Sequence, residues 1–261
     1  MVLSVNHPSP HVALVTFSEK TSRDTFSSGT IEDVVSTIDG LIEDSNTNAV
    51  VLTGTGKFFS AGGPVDKFDE AIDAGIIREL VESMTGHLHP LLLRMRRTPT
   101  VFVGAMNGAA AGGGLGLALS TDYRISNGKA KLAAAFFRLG LSPDVGTTWL
   151  LPRLVGLQKS KEFFFENQVW SSEEALEYGA LDEIVPESEL ISRSIEVAEK
   201  WGSWSESSRR GTKQLLDAST TTFFETQLEF ERQLMVAAAM KTDFKEGVRS
   251  FLEKRDPNFM K

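Results

Sequence analysis

The segment GAMNGAAAGGGLGLALSTDYRIS, residues 104–126, constrains the fold of this chain more than any other. An apolar strand at 100–104 runs into a loop of small residues, and Gly112, Gly113 and Gly114 then open an apolar helix. Glycine admits positive φ and lets another group approach the main chain closely. The first N–H groups of a helix have no internal partner, and the helix dipole favours negative charge there. Such a helix start holds an anion, or an oxygen that becomes one during a reaction. The same pattern serves plain tight packing of a strand on a helix, so the motif alone leaves both readings open.

A second loop has the same character. Phe58-Phe59-Ser60-Ala61-Gly62-Gly63 follows AVVLT, residues 49–53, a short apolar strand of the kind buried on both faces. In a parallel sheet both loops sit at the carboxyl ends of neighbouring strands, where ligands bind. Each offers a free backbone N–H, and two donors converging on one carbonyl oxygen make an oxyanion hole. Strands are expected at 12–17, 49–53, 100–104 and 123–126, with a short apolar segment at 132–137. Helical spacing predicts helices at 31–42 and about 76–95, the second broken by Pro99. Ser171 and Glu174 form a capping box for a short helix ending near Gly179. Strands separated by helices imply a largely parallel α/β sheet. Beyond Pro186 only helices are expected: one through Leu190 to Ala198, then 206–217, 222–240 and 242–254. The chain divides into an α/β core at 1–190 and a helical region at 191–261 suited to oligomerisation or to capping a ligand.

Several function classes are excluded. The net charge of −8 disfavours nucleic acid, which is bound mainly by neutralising phosphates. Arg94, Arg96 and Arg97 form a short basic cluster at a helix end, where cations suit the dipole, and read as solvated. Cysteine is absent, which removes disulfides and thiol chemistry and fits a cytoplasmic setting. No apolar run approaches the ~20 residues that span a bilayer. The start MVLSVNHPSP is not a secretory signal, and Phe259-Met260-Lys261 is not a peroxisomal address. The four histidines lack ligand spacing, so no metal is expected, and GGGLG does not match the dinucleotide fingerprint.

Taken together, five strings carry a family resemblance over nearly the whole chain: VVLTGTGKFFSAGG, PTVFVGAMNGAAAGGGLGLALSTDYRIS, RLGLSPDVGTTWLLPRLVG, SSEEALEYGALDEIVP and FLEKRDPNF. They resemble the crotonase, or enoyl-CoA hydratase/isomerase, superfamily. The resemblance implies a spiral of ββα units with a C-terminal helical appendage, assembled as a trimer or dimer of trimers. It implies an acyl-CoA thioester as substrate, with coenzyme A part of that substrate and no separate cofactor. It places the two oxyanion donors at Ala61 and Gly113, flanked by Ser60, Gly62, Gly63 and Gly112. Lys57 and Lys254, or Arg255, are its candidates for the CoA phosphates.

Hydratases of this kind use two glutamates, and the matching positions here are Gly116 and Phe136. Neither moves a proton, which weighs against ordinary hydration. Asp144, in GLSPDVGTTW, stands where several enoyl-CoA isomerases carry their single acid, and one carboxylate suffices for an allylic shift. Asp between Pro143 and Gly146 is also a favoured turn former. Asp66, Asp69, Glu82, His87 and His89 read as solvated, and Phe136, Phe58, Phe59, Phe137 and Trp149 as an acyl pocket or as core. The expected function is therefore double-bond isomerisation of an enoyl-CoA. The alternatives are another crotonase-type reaction, such as hydration, and a CoA-thioester-binding protein with little turnover.

Overall fold

A computed structural model describes residues 1–259. Met260 and Lys261, of the C-terminal tripeptide, lie outside the described residues. A hairpin of β1 (Leu3–Ser9) and β2 (Val12–Phe17) leads into α1 (Glu19–Arg23) and α2 (Thr30–Glu43). Then follow β3 (Ala49–Thr53), β4 (Phe58–Ser60), α3 (Val65–Asp73) and the long α4 (Ile77–Arg97). The glycine segment forms β5 (Val101–Met106), β6 (Ala109–Ala111) and α5 (Gly113–Leu119), followed by β7 (Tyr123–Ser126) and β8 (Lys131–Ala133). Next come α6 (Thr147–Val155), α7 (Leu157–Phe165), β9 (Val169–Ser171), α8 (Ser172–Tyr178) and β10 (Glu183–Ile184). The chain ends in α9 (Leu190–Gly202), α10 (Glu206–Ala218), α11 (Phe224–Ala239) and α12 (Thr242–Glu253).

Two sheets result, with strand orders β1-β2-β3-β5-β7-β10 and β4-β6-β8-β9. Pairing is parallel except for β1 with β2 and β8 with β9. Every residue of β3 is buried, as its unbroken apolar run requires of a central parallel strand. The period of two sorts the side chains onto two faces. Val50, Leu52 and Phe102 join the main core on one face, with Ile31 and Ile38 of α2 and Leu91 and Met95 of α4. Ala49, Val51, Val101 and Val103 point to the other, against Leu190, Val197 and Ala198 of α9. The expected boundary at 190/191 thus falls at the start of a helix that closes the sheet. An amphipathic stripe reads the same in sequence whether it covers a sheet or another helix.

The next helix is tied down as well. Lys213 Nζ donates to Met95 O at 2.8 Å, Thr100 O at 3.0 Å and Asp122 Oδ2 at 2.9 Å, and Arg209 donates to Asn48 O and Pro99 O. Only α11 and α12 stand away from the core; α11 has no buried residue, and Phe223, Phe224, Met240, Phe251 and Leu252 are strongly exposed. Two of the three arginines at the end of α4 depart from their reading as solvated. Arg94 pairs with Asp39 and Glu43, and Arg96 pairs with Asp217 of α10; Arg97 is exposed. The second glycine loop, expected from Phe58 to Gly63, begins as β4, which is too short to show a period.

Arg124 of β7 is the most buried cation of this scaffold. It donates to Ala180 O at 3.0 Å and Thr121 O at 2.7 Å, and its Nη2 lies 2.8 Å from Asp182 Oδ2. Burial pushes the Asp182 carboxyl above its ordinary value, and the Arg124 guanidinium opposes that rise. An acid whose folded pKa is raised contributes stability at low pH and loses it as pH rises through the folded value. Arg124→Met removes the opposing cation, so the rise grows. We expect a loss of about 3–5 kcal/mol near neutral pH. Denaturant titrations at about pH 7 and about pH 4 should show a smaller deficit at the acid end.

Candidate functional site

Parallel pairing of β3 with β5, in the register Thr53 to Ala105, places both glycine loops side by side at the carboxyl ends of their strands. Asn107 then ties the loops together. Its Oδ1 accepts from Gly54 N–H at 2.8 Å, and its Nδ2 donates to Phe58 O at 3.1 Å and Gly56 O at 3.3 Å. This bridging role was missed in the sequence, where the Asn-Gly after a strand reads only as a turn signal. Several glycines leave no room for a side chain. A Cβ on Gly108 would overlap Lys57 O, and one on Gly114 would overlap Ser60 O. At Gly62, where φ is +87°, it would stand 3.1 Å from Gly113 N. Ser60 is buried, its hydroxyl 2.7 Å from that of Thr25.

These contacts decide which amides remain free. Ala61 does not offer the donor expected of it, because its N–H donates to Ser22 O at 2.8 Å. Gly112 N–H is spent on Ala133 O at 3.2 Å. The N–H groups of Gly63 and Gly113 donate to no partner among the described residues. Gly113 opens α5, where a first-turn N–H has no internal acceptor. Both glycines line a chamber of about 300 Å³, together with Phe26, Met84, Leu88, Phe136 and Asp144. Two free donors, one from each loop, therefore border one space.

Asp144 is the only carboxylate among the described residues that line this chamber. Its Oδ1 accepts from Val145 N–H at 2.6 Å and from His89 Nε2 at 2.8 Å, while its Oδ2 has no partner among the described residues. His89, on α4, was read as solvated; it is half-exposed but paired with the candidate base across 55 residues of sequence. No local pattern carries that pairing. The other polar groups of this region stay apart. Glu82 pairs with Arg78, His87 Nδ1 lies 2.7 Å from Ser83 O on its own helix, and Asp66 and Asp69 line neither this chamber nor the larger cavity beyond it.

The two positions that lack glutamates now have a physical account. A Cβ on Gly116 would lie 2.5 Å from Val145 Cβ and overlap Val145 O, so Val145 occupies the space of any side chain there. Val145 itself has φ +55°, which is rare for a β-branched residue, and Gly146 follows at +69°. The pair turns the chain from Asp144 into α6. Phe136 is buried and forms chamber wall. Of the aromatic candidates, Phe59 is core, Phe137 meets Phe165 edge-on at the surface, and Trp149 lines the larger cavity.

Lys57 is exposed next to the first loop, with its carbonyl accepting from Ala109 N–H at 3.0 Å. Lys254 ends α12 with φ +53° and lines neither cavity that meets at Asp144, and Arg255 is held by Glu246 and Glu253. No cluster of three potential metal ligands occurs among the described residues, and none of their helices is long and apolar enough to cross a membrane.

Comparison with known proteins gives the family and the fold. The family model described as enoyl-CoA hydratase/isomerase matches residues 8–261. The chain is 34% identical to a 1,2-epoxyphenylacetyl-CoA isomerase of Escherichia coli (strain K12), over 83% of this chain and 82% of that protein. It is 34% identical to a probable enoyl-CoA hydratase of Rhodobacter capsulatus, over 81% of this chain and 80% of that one. A solved enoyl-CoA hydratase from Bacillus anthracis superposes with a TM-score of 0.90 at 30% identity, covering 100% of this chain and 99% of the other.

The contact between Gly116 and Val145 is testable alone. Helix propensity favours Ala over Gly by about 1 kcal/mol. Against that, a Cβ at 116 meets main chain that cannot rotate away. Overpacking of this kind costs about 1–3 kcal/mol. Gly116→Ala should therefore lower stability in chemical denaturation, with the clash outweighing propensity.

Proposed function

The chain belongs to the enoyl-CoA hydratase/isomerase family, and we propose that within it the protein shifts the double bond of an enoyl-CoA thioester, with Asp144 as its acid–base group. Asp144 Oδ2 takes a proton from C2 of a 3-enoyl-CoA. The electron pair moves into the thioester carbonyl, and the resulting dienolate oxygen rests against the Gly63 and Gly113 N–H groups. The same carboxyl returns the proton at C4, giving the conjugated 2-enoyl thioester. One observation carries this reading: a single carboxylate with a free oxygen borders a chamber lined by two unpaired amides from different loops. Donors fixed before the reaction stabilise developing charge without reorganising.

Hydration is the second reading, favoured by relatives named as hydratases and by the pairing of His89 with Asp144, which sets two proton-transfer groups side by side. Gly116 and Phe136 stand against it, since neither holds a proton. Crotonyl-CoA separates the two. Isomerisation predicts little or no water addition, whereas turnover at ~10 s⁻¹ or more, the rate of ordinary enzymes, favours hydration. A thioester-binding protein without turnover would bind CoA esters and convert none of a substrate panel.

The further assignments belong to the same proposal. The substrate is an acyl-CoA thioester, no separate cofactor or metal takes part, and Lys57 is the nearer candidate for a CoA phosphate. The setting is cytoplasmic. The exposed apolar side chains of α11 and α12 form the contact between subunits of a trimer or dimer of trimers, since monomers rarely leave such patches uncovered. Light scattering at micromolar concentration checks that assembly, and a stable monomer contradicts it.

The chemistry is tested at two points. Asp144→Asn keeps size and removes basicity, and should lower the isomerisation rate by about 10²–10⁴-fold. Gly63→Pro removes one donor, and the atoms nearest its new Cβ are the side-chain ends of Met84 and Phe68. Its kcat should fall by about 10²–10³-fold, while Gly63→Ala, which keeps the N–H, retains most of the activity. Equal rates in the folded Pro and Ala variants rule out the donor at Gly63.

A further inference from the structure

We propose that the acyl group passes Asp144 into a second, larger cavity between four helices, and that the substrates are thioesters of uncharged apolar acyl groups reaching several carbons beyond the reacting bond. This rests on the isomerase reading for the position of the thioester. Asp144 lines both spaces, so they meet at the candidate base. The first holds about 300 Å³ and the second about 840 Å³. The larger lies near the top of the range, roughly 300–1,000 Å³, that encloses a drug-sized ligand. A four-carbon acyl group ends near Asp144 and leaves the second cavity without contacts, which forfeits dispersion and burial.

Helix geometry builds this cavity. On α4, His89, Leu92, Leu93, Arg96 and Arg97 recur at helical spacing and face one side. From His89 to Arg96 that stripe extends about 10 Å. Trp149 and Leu150 of α6 face it, and Gln214, Asp217 and Ala218 of α10 with Phe230 of α11 close the far side. Acyl selectivity on this account lies with the C-terminal helices, within the region expected to serve assembly or CoA.

Of the arginines that line the cavity, Arg97 is exposed and keeps its charge in solvent, and Arg96 is matched inside. Arg96 and Asp217 bond through both guanidinium–carboxylate contacts, Nε to Oδ2 at 3.0 Å and Nη2 to Oδ1, so each neutralises the other. Arg96 also lies 4.9 Å from the Trp149 ring centroid, with Arg153 stacked on the same ring at 3.5 Å. A terminal carboxylate entering here would find the guanidinium of Arg96 already matched, and would compete with Asp217 for it. A hydrocarbon chain or ring meets Leu92, Leu93, Trp149, Leu150, Ala218 and Phe230 instead.

Binding of saturated thioesters, which cannot react, tests the cavity apart from the chemistry. Calorimetry on the full chain should find decanoyl-CoA bound at least about tenfold more tightly than butyryl-CoA, a difference of about 1.4 kcal/mol. Ala218→Trp fills the cavity from α10, and Leu93→Trp fills it from α4 at a half-exposed position where folding is least at risk. Either variant, its fold verified by melting, should erase the preference and leave butyryl-CoA affinity within about twofold. A parent without chain-length preference overturns the proposal, as does a preference that survives both substitutions. So does a change of assembly mass in the Trp variants with no change in thioester binding, because the cavity then receives a second copy of the chain. If the preference follows the cavity and 3-decenoyl-CoA is still not isomerised, the cavity assignment stands and the isomerase reading falls.

Discussion

Main chain against main chain, with no space for a side chain between, is the contact on which the whole site depends. Gly54, Gly108 and Gly114 each lie where a Cβ would overlap a carbonyl of Lys57, Phe58 or Ser60. The contacts of Gly108 and Gly114 hold the β3–β4 loop against the β5–α5 segment, that of Gly54 closes the first loop on itself, and the Asn107 amide, from the second segment, fastens the join with bonds to Gly54 and Phe58 of the first. Separating the loops by the width of one methyl would move Gly63 and Gly113 off the common chamber. The donors are main-chain atoms, so their placement depends on backbone path alone. Glycine at these positions is therefore required by packing as much as by the conformational freedom it brings.

A second constraint runs from the same helix to Asp144. Val145 holds a left-handed conformation that costs on the order of 1–3 kcal/mol in a non-glycine residue. The surroundings sustain it: its side chain fills the space over Gly113 and Gly116, and its N–H donates to Asp144 Oδ1. The missing glutamate at 116 and the presence of Asp144 are thus one structural fact. A bare α5 surface admits Val145, and Val145 in that seat aims the preceding carboxylate into the chamber. With Oδ1 held by Val145 and His89, Oδ2 has no partner among the described residues.

What was legible in the sequence follows the range of each interaction. The buried β3, the helix opening at the three glycines and the capping box Ser171–Glu174 are local patterns, and the structure bears them out. Asp144 and Gly113 are singled out by short strings in which motif and chemistry coincide, and both line the chamber. Ala61 was misassigned as a donor because its N–H partner, Ser22, lies far away in sequence; the free amide is two residues on, at Gly63. His89 and Arg96 read as solvated in the sequence for the same reason, since their partners Asp144 and Asp217 lie 55 and 121 residues away. The role of α9 was hidden differently: its apolar stripe announces burial and says nothing of the surface it covers.

These separate ranges also divide the labour of the site. The proposed donors and base come from short loops whose geometry the glycines and Val145 fix. The wall of the larger cavity comes from four helices joined by side-chain contacts that need no particular backbone. Side chains on α10 and α11 can change size without touching Gly63 or Gly113, since only Asp144 belongs to both spaces. The Arg96–Asp217 pair is where the two parts connect, because it anchors α10 to the helix that carries His89. On the reading proposed above, a substitution there acts on acyl fit through the cavity and on Asp144 through the position of α4, whereas changes at Ala218 or Phe230 act on acyl fit. Specificity is then free to drift along the C-terminal helices, while the proposed chemistry stays tied to a backbone contact that tolerates no side chain.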